Sequence, residues 1–100
     1  MTKLRDTDNG SVLFECPGCD SLHVVHLTTP GYPHWAFNGN YERPTFSPSL
    51  HVSWDRISTG DKHICHSFIR DGKIEFLNDC THSLAGKTVD IPDWNDDDKD

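Results

Sequence analysis

The dipeptide Asp71-Gly72 constrains this chain more than any other pair of residues. A two-residue Asp-Gly loop favours a type I′ turn, because both central positions need φ > 0, and such a turn sets the register of a β-hairpin. Ile64, Phe68 and Ile69 before it, and Ile74, Phe76 and Leu77 after it, are β-favouring residues. The spacing predicts Ile69 opposite Ile74, Ser67 opposite Phe76, Cys65 opposite Asn78 and His63 opposite Cys80. Side chains alternate across a strand, so His63, Cys65 and Cys80 share one face, joined by His82 if the strand continues, and His66 takes the other. Cys65 and Cys80 become diagonal neighbours about 7–8 Å apart by backbone. That is too loose to imply a disulfide and suits two thiolates converging on a metal ion.

A second pair of cysteines stands near the N-terminus. Ser11 to Glu15 reads as a short strand that delivers Cys16-Pro17-Gly18-Cys19, with His23 four residues on and a second strand over Leu22 to Leu27. Two cysteines three apart in such a loop can point at one ion while the glycine relieves the backbone. The same spacing serves thioredoxin-type redox pairs, but these need a βαβ context that the pattern lacks. Structural zinc sites are closed tetrahedra of Cys₄ or Cys₃His type. Cys16, Cys19, Cys65 and Cys80 are therefore the expected ligands of one zinc ion, with His23, His66 or His82 as substitutes for a hairpin cysteine. One ion would tie the N-terminal knuckle to the hairpin and close a long loop.

The chain has 100 residues, enough for one domain with a small core, and only 34% of them are hydrophobic. A metal or a partner would help to hold it together. The formal charge of −7 disfavours nucleic-acid binding, which depends on phosphate neutralisation. Residues 93–100 carry five Asp and one Lys, so −4 of that charge is local, and the segment reads as a disordered acidic tail after a single domain over 1–92. No apolar run reaches the roughly 18–20 residues of a membrane span, and the first ten residues do not form a signal peptide. A cytosolic setting is the default. Four cysteines there point to metal rather than to disulfides.

The remainder supplies short strands and turns. Residues 1–10 are polar and end in the Asn9-Gly10 turn, and Thr28 to Pro33 is a loop. His34 to Phe37 reads as a strand entering a turn at Asn38-Gly39-Asn40. Pro44 and Pro48 reduce 41–48 to an edge or extended segment, and a strand follows over Leu50 to Trp54. Ser83 to Val89 holds a short helical turn stopped by Gly86, before a final strand to Ile91. Six or seven short strands with regular turns predict a mainly β fold, a small compact antiparallel domain with a zinc knuckle and little helix.

Two other constellations offer chemistry. Asp79, His82 and His66 could surround an open metal position, with Asp79 as base or histidine orienter. Asn38, Glu42, Arg43 and Thr45 stand among Trp35, Phe37, Tyr41 and Phe46, a frame that suits a small ligand or, more simply, a core.

The runs FECPGCDSLH, WAFNGNYERPTFSPSL and CHSFIRDGKIEFLNDCTHSLAGKTVDIPDW resemble a group of small tailed-phage and prophage proteins of no established function, some of them labelled ammonia monooxygenase. The resemblance spans residues 13–94 and places Cys16, Cys19, His23, Arg43, Pro44, Thr45, Cys65, His66, Asp79, Cys80, His82 and Gly86 on motif positions. It implies a phage-encoded protein in a bacterial host cell. Ammonia oxidation does not follow, because copper or iron sites of that kind need His- or carboxylate-rich ligation, whereas four thiolates favour zinc. The expected function is a zinc-binding phage accessory protein that binds a host or phage macromolecule, most simply a protein. The alternative is a small metal-dependent hydrolase, and a nucleic-acid-binding zinc ribbon is disfavoured by charge.

Overall fold

The structure, a computed structural model, describes residues 2–94. It is a mainly β fold of two antiparallel sheets with no helix among the described residues. The first sheet has the order β1-β2-β3, from β1 (Arg5–Asp6), β2 (Ser11–Cys16) and β3 (Ser21–His26). The second has the order β4-β5-β6-β7-β8, from β4 (Ala36–Phe37), β5 (Phe46–Asp55), β6 (Lys62–Arg70), β7 (Lys73–Phe76) and β8 (Thr88–Asp90). No described helix is long and apolar enough to cross a membrane.

The Asp-Gly turn behaves as its chemistry demands. Asp71 and Gly72 have φ of 52° and 79°, and β6 pairs with β7 in the expected register, Ile69 with Ile74 and Ser67 with Phe76. Along β6 the inward positions are His63, Cys65, Ser67 and Ile69, all buried, while His66 faces the other way. Regular pairing stops at Phe76, short of the predicted Cys65–Asn78 and His63–Cys80 positions. Residues 77–81 turn out of the ladder and rejoin it where Thr81 N donates to Ile64 O at 3.0 Å.

One core is shared by both sheets. Val12, Phe14 and Val25 from the first meet Phe46, Leu50, Ile69, Ile74 and Phe76 from the second, with Leu4 and Ile91 beside them. Each large side chain buried there contributes about 1.5–3 kcal/mol.

The region 41–55 differs from expectation. β5 begins at Phe46 and continues through Pro48, so the segment assigned to an extended edge is partly strand. The pairing jumps from Phe46–Ile69 to Leu50–Ser67, which leaves two extra residues on β5 and a bulge. The Ser47–Pro48 peptide is cis. A proline is tolerated there because the ladder is already interrupted and no donor is needed. The expected strand over 34–37 contracts to Ala36–Phe37, and β1 is a strand where only polar chain and a turn were expected. The turn after Cys80 is built from Ala85 N donating to His82 O and Lys87 N to Leu84 O, with Gly86 at φ 79°. Most of the acidic tail lies outside the described residues. Its first two, Asp93 and Trp94, reach the N-terminal segment through Lys3–Asp93 at 3.3 Å and Trp94 N–Thr2 O at 2.8 Å.

Candidate functional site: a cysteine–histidine cluster beside a Ser-His-Asp chain

β2 ends on Cys16, and the tight turn through Gly18 returns the chain to β3, closed by Asp20 N donating to Cys16 O at 2.9 Å. A Cβ on Gly18 would stand 2.4 Å from the His82 ring, so only glycine lets that imidazole lie against the knuckle. Two residues into β3, His23 points inward beside Phe14, their ring centroids 5.4 Å apart. Cys65 reaches across from β6 and brings its Sγ to 3.8 Å from that of Cys16.

The donor atoms of Cys16, Cys19, His23 and Cys65 lie within 4.8 Å of one another and could hold a metal ion. Two features fit an ion. Thiolates about 2.3 Å from a tetrahedral zinc stand about 3.8 Å apart, the spacing of Cys16 and Cys65. The buried Nε2 of His23 has no hydrogen-bond partner, as a nitrogen kept for a metal would not.

The thiols are electrostatically unequal. A hydrogen bond from Cys65, opposed by burial, and help from His23 bring Cys16 down to about 4 and favour its thiolate. Burial and the Cys16 charge push Cys19 up to about 12. The Cys16 bond and burial likewise push Cys65 far up. His63 supports the cluster from outside. Its Nδ1 lies 2.9 Å from Arg56 Nη2, and a guanidinium can only donate, so the ring proton sits on Nε2 and is donated to Cys19 Sγ at 3.1 Å. Burial and then Arg56 lower the His63 pKa and favour this neutral form.

Of the four cysteines expected as ligands, Cys16, Cys19 and Cys65 come together. Cys80 belongs to a second donor group with Cys65 and His82. Its Sγ also lies 3.2 Å from the backbone N of His66 and 3.2 Å from its O. His82 Nε2 is buried and unpartnered, and its Nδ1 accepts from Leu84 N at 3.2 Å. His66 belongs to neither group. The aromatic frame is packing: Phe37 stacks on Phe46 at 5.1 Å and meets Tyr41 edge-on, while Arg43 pairs with Asp71 on the surface.

On the outer face of the second sheet stands a constellation that the sequence pattern did not reveal. Ser49 Oγ lies 3.2 Å from His66 Nε2, and His66 Nδ1 lies 3.1 Å from Asp79 Oδ2. Ser49 comes from the bulge of β5, His66 from the middle of β6, and Asp79 from the loop that leaves β7. The histidine side chain is 27% exposed and the aspartate 53%. This is the order of contacts of a nucleophile, a general base and the carboxylate that orients the base. The sequence offered His66 and Asp79 together only as an alternative, with His82 around an open metal position. Ser49 lacked any local signal, because only the β5–β6 register brings it to His66.

No curated protein and no solved structure matches the chain. A family model does, over residues 1–77, a span that includes the knuckle, Cys65, Ser49 and His66 and stops two residues before Asp79. The chain belongs to that family, the bacterial ubiquitination-like system serine proteases (BubE).

Proposed function

We propose that this protein is a serine peptidase braced by a structural zinc ion. The observation that carries the reading is the unbroken chain Ser49–His66–Asp79, at 3.2 and 3.1 Å. Ser49 Oγ attacks the carbonyl carbon of a peptide bond while His66 Nε2 accepts the hydroxyl proton. Asp79 holds the Nδ1 proton and stabilises the imidazolium. The tetrahedral intermediate collapses, the C–N bond breaks, and His66 delivers its proton to the leaving amine. A water molecule, deprotonated by His66, then cleaves the acyl ester and restores Ser49.

Cys16, Cys19, His23 and Cys65 would hold the zinc as a closed Cys₃His site, whose role is to fasten β2 and β3 to β6. Hydrolysis, the alternative expected from sequence, is thus retained, with Ser49 in place of a metal-bound water. The expected protein partner becomes the substrate chain. Beyond the two residues paired with β4, the described part of β5 has β6 on one side and no strand on the other. Ser49 O already accepts from Trp35 Nε1 at 3.4 Å, so the edge open to an extended peptide begins just past Ser49, over residues 51–55. The family's description as a protease of a bacterial ubiquitination-like system supports a protein substrate within such a system. A phage or prophage source, and action in the host cytoplasm, remain part of the proposal on the strength of the motif resemblance.

A fluorophosphonate probe tests it. The wild type should form a covalent adduct at Ser49, and both Ser49→Ala and His66→Ala should lose it while keeping their zinc. A wild type that stays unlabelled, or an adduct that survives Ser49→Ala, overturns the assignment.

A further inference from the structure

We infer that Cys80 is a positioning residue of the Ser49–His66–Asp79 chain, its thiol standing in for a missing strand where the catalytic histidine leaves the ladder. The inference rests on the serine-peptidase reading.

In the β6–β7 register, Ser67 pairs with Phe76, so His66 should pair with Leu77 and exchange two backbone hydrogen bonds with it. Only one of them forms, Leu77 N donating to His66 O at 2.9 Å. The reciprocal acceptor, Leu77 O, takes Cys80 N instead, at 3.2 Å, because the chain has turned outward to present Asp79. That turn would orphan the N–H of His66, inside a sheet and beneath its own imidazole. Cys80 Sγ fills the gap, accepting from His66 N at 3.2 Å and lying within donating distance of His66 O at the same separation. The sulfur is 8% exposed at the residue level, so water does not readily replace it.

The consequence reaches both catalytic partners. His66 directs its backbone groups to the β7 side, so its pairing with His51 across β5 is of the non-hydrogen-bonded kind, which brings side chains close on the outer face. The rings of His51 and His66 meet edge-on at 5.1 Å. Asp79 is bonded directly to Cys80, so the clamp that holds the His66 backbone also fixes the carboxylate that must reach Nδ1. One thiol therefore sets the relative placement of base and orienter.

Cys80 can be separated from a zinc ligand by its substitutions. Serine keeps a donor and an acceptor at this position but is a poor zinc ligand. Valine fills the space and makes neither bond. The experiment measures fluorophosphonate inactivation of the wild type, Cys80→Ser, Cys80→Val and Ser49→Ala, taking the maximal rate and the half-saturating probe concentration separately, with zinc content assayed alongside. We expect Cys80→Val to lower the maximal rate on the order of 10–100-fold, the scale of a small misplacement of catalytic groups, with unchanged half-saturation and zinc. Cys80→Ser should recover most of that rate and retain full zinc. If Cys80→Val does not fold, the imidazole NMR signals of His66 in folded Cys80→Ser decide: a retained Nδ1–H resonance supports the clamp, and its loss overturns it. A wild-type rate in folded Cys80→Val, or zinc loss in Cys80→Ser, overturns the inference while labelled Ser49 leaves the peptidase standing. An unlabelled wild type sinks the peptidase and this role of Cys80 together.

Discussion

His63 shows how much one side chain can be asked to do in a small fold. It is buried, stacks on Trp54 with ring centroids 4.3 Å apart, accepts from Arg56 and donates to Cys19 Sγ. A hydrogen bond to a coordinating thiolate orients the ligand and tempers its charge. His63→Phe would keep the stack on Trp54 and the buried volume while removing both hydrogen bonds. Zinc affinity should fall 10–100-fold, as outer-shell losses do. Competition with a chromogenic chelator measures it, and an unchanged affinity would mean that the Cys19 contact is incidental. The role was legible only in part: the hairpin register placed His63 on the metal-facing side, but Arg56, which fixes its tautomer, lies in a polar connection with no pattern of its own.

At the scale of the elements, β6 carries the whole design through simple alternation. Cys65 points inward to the cluster and His66, the next residue, points outward to Ser49, so a single strand supplies both the cysteine–histidine cluster and the Ser-His-Asp chain. This much could be read from the chain, since Asp71-Gly72 sets the hairpin locally. Ser49 could not. Its position depends on two extra residues between Phe46 and Leu50, and a bulge in a non-local ladder leaves no periodic trace in sequence. The two-residue strand β1 was hidden for the same reason, being fixed by its partner rather than by propensity, whereas β4 was foreseen at twice its length. The dependence on the turn is testable at Gly72, whose φ is 79° and whose added Cβ would meet Lys3 Cε at 3.1 Å and Arg43 Cα at 3.3 Å. Gly72→Val places a β-branched residue in the left-handed region against backbone, and should destabilise the fold by about 1–3 kcal/mol. Chemical denaturation reads the loss, and a midpoint within error of wild type would show that the turn does not set the register.

Over the whole molecule, the question is whether a metal held by the cluster would brace the fold or take part in the proposed reaction. Cys16 and Cys65 are 49 residues apart, and their sulfurs, with Cys19 and His23, are the polar seam between two sheets that otherwise share one modest apolar core. An ion in that seam closes a long loop and adds its binding free energy to folding. The proposed catalytic chain stands on the other face of β6, and of the two cysteine–histidine groups it is Cys80 that touches it, at the backbone of His66 rather than at the side chains that would react. Stripping zinc with a strong chelator should therefore lower the melting temperature and abolish labelling of Ser49 over the same range of free zinc. Restoring zinc should recover both together. A brace predicts this coincidence, because the serine fails only when the sheet beneath it does. A catalytic ion predicts that labelling falls while the melting temperature holds. Labelling and melting that both survive complete removal of metal would show that the apolar core suffices and that the cluster is no more than three free thiols and a histidine.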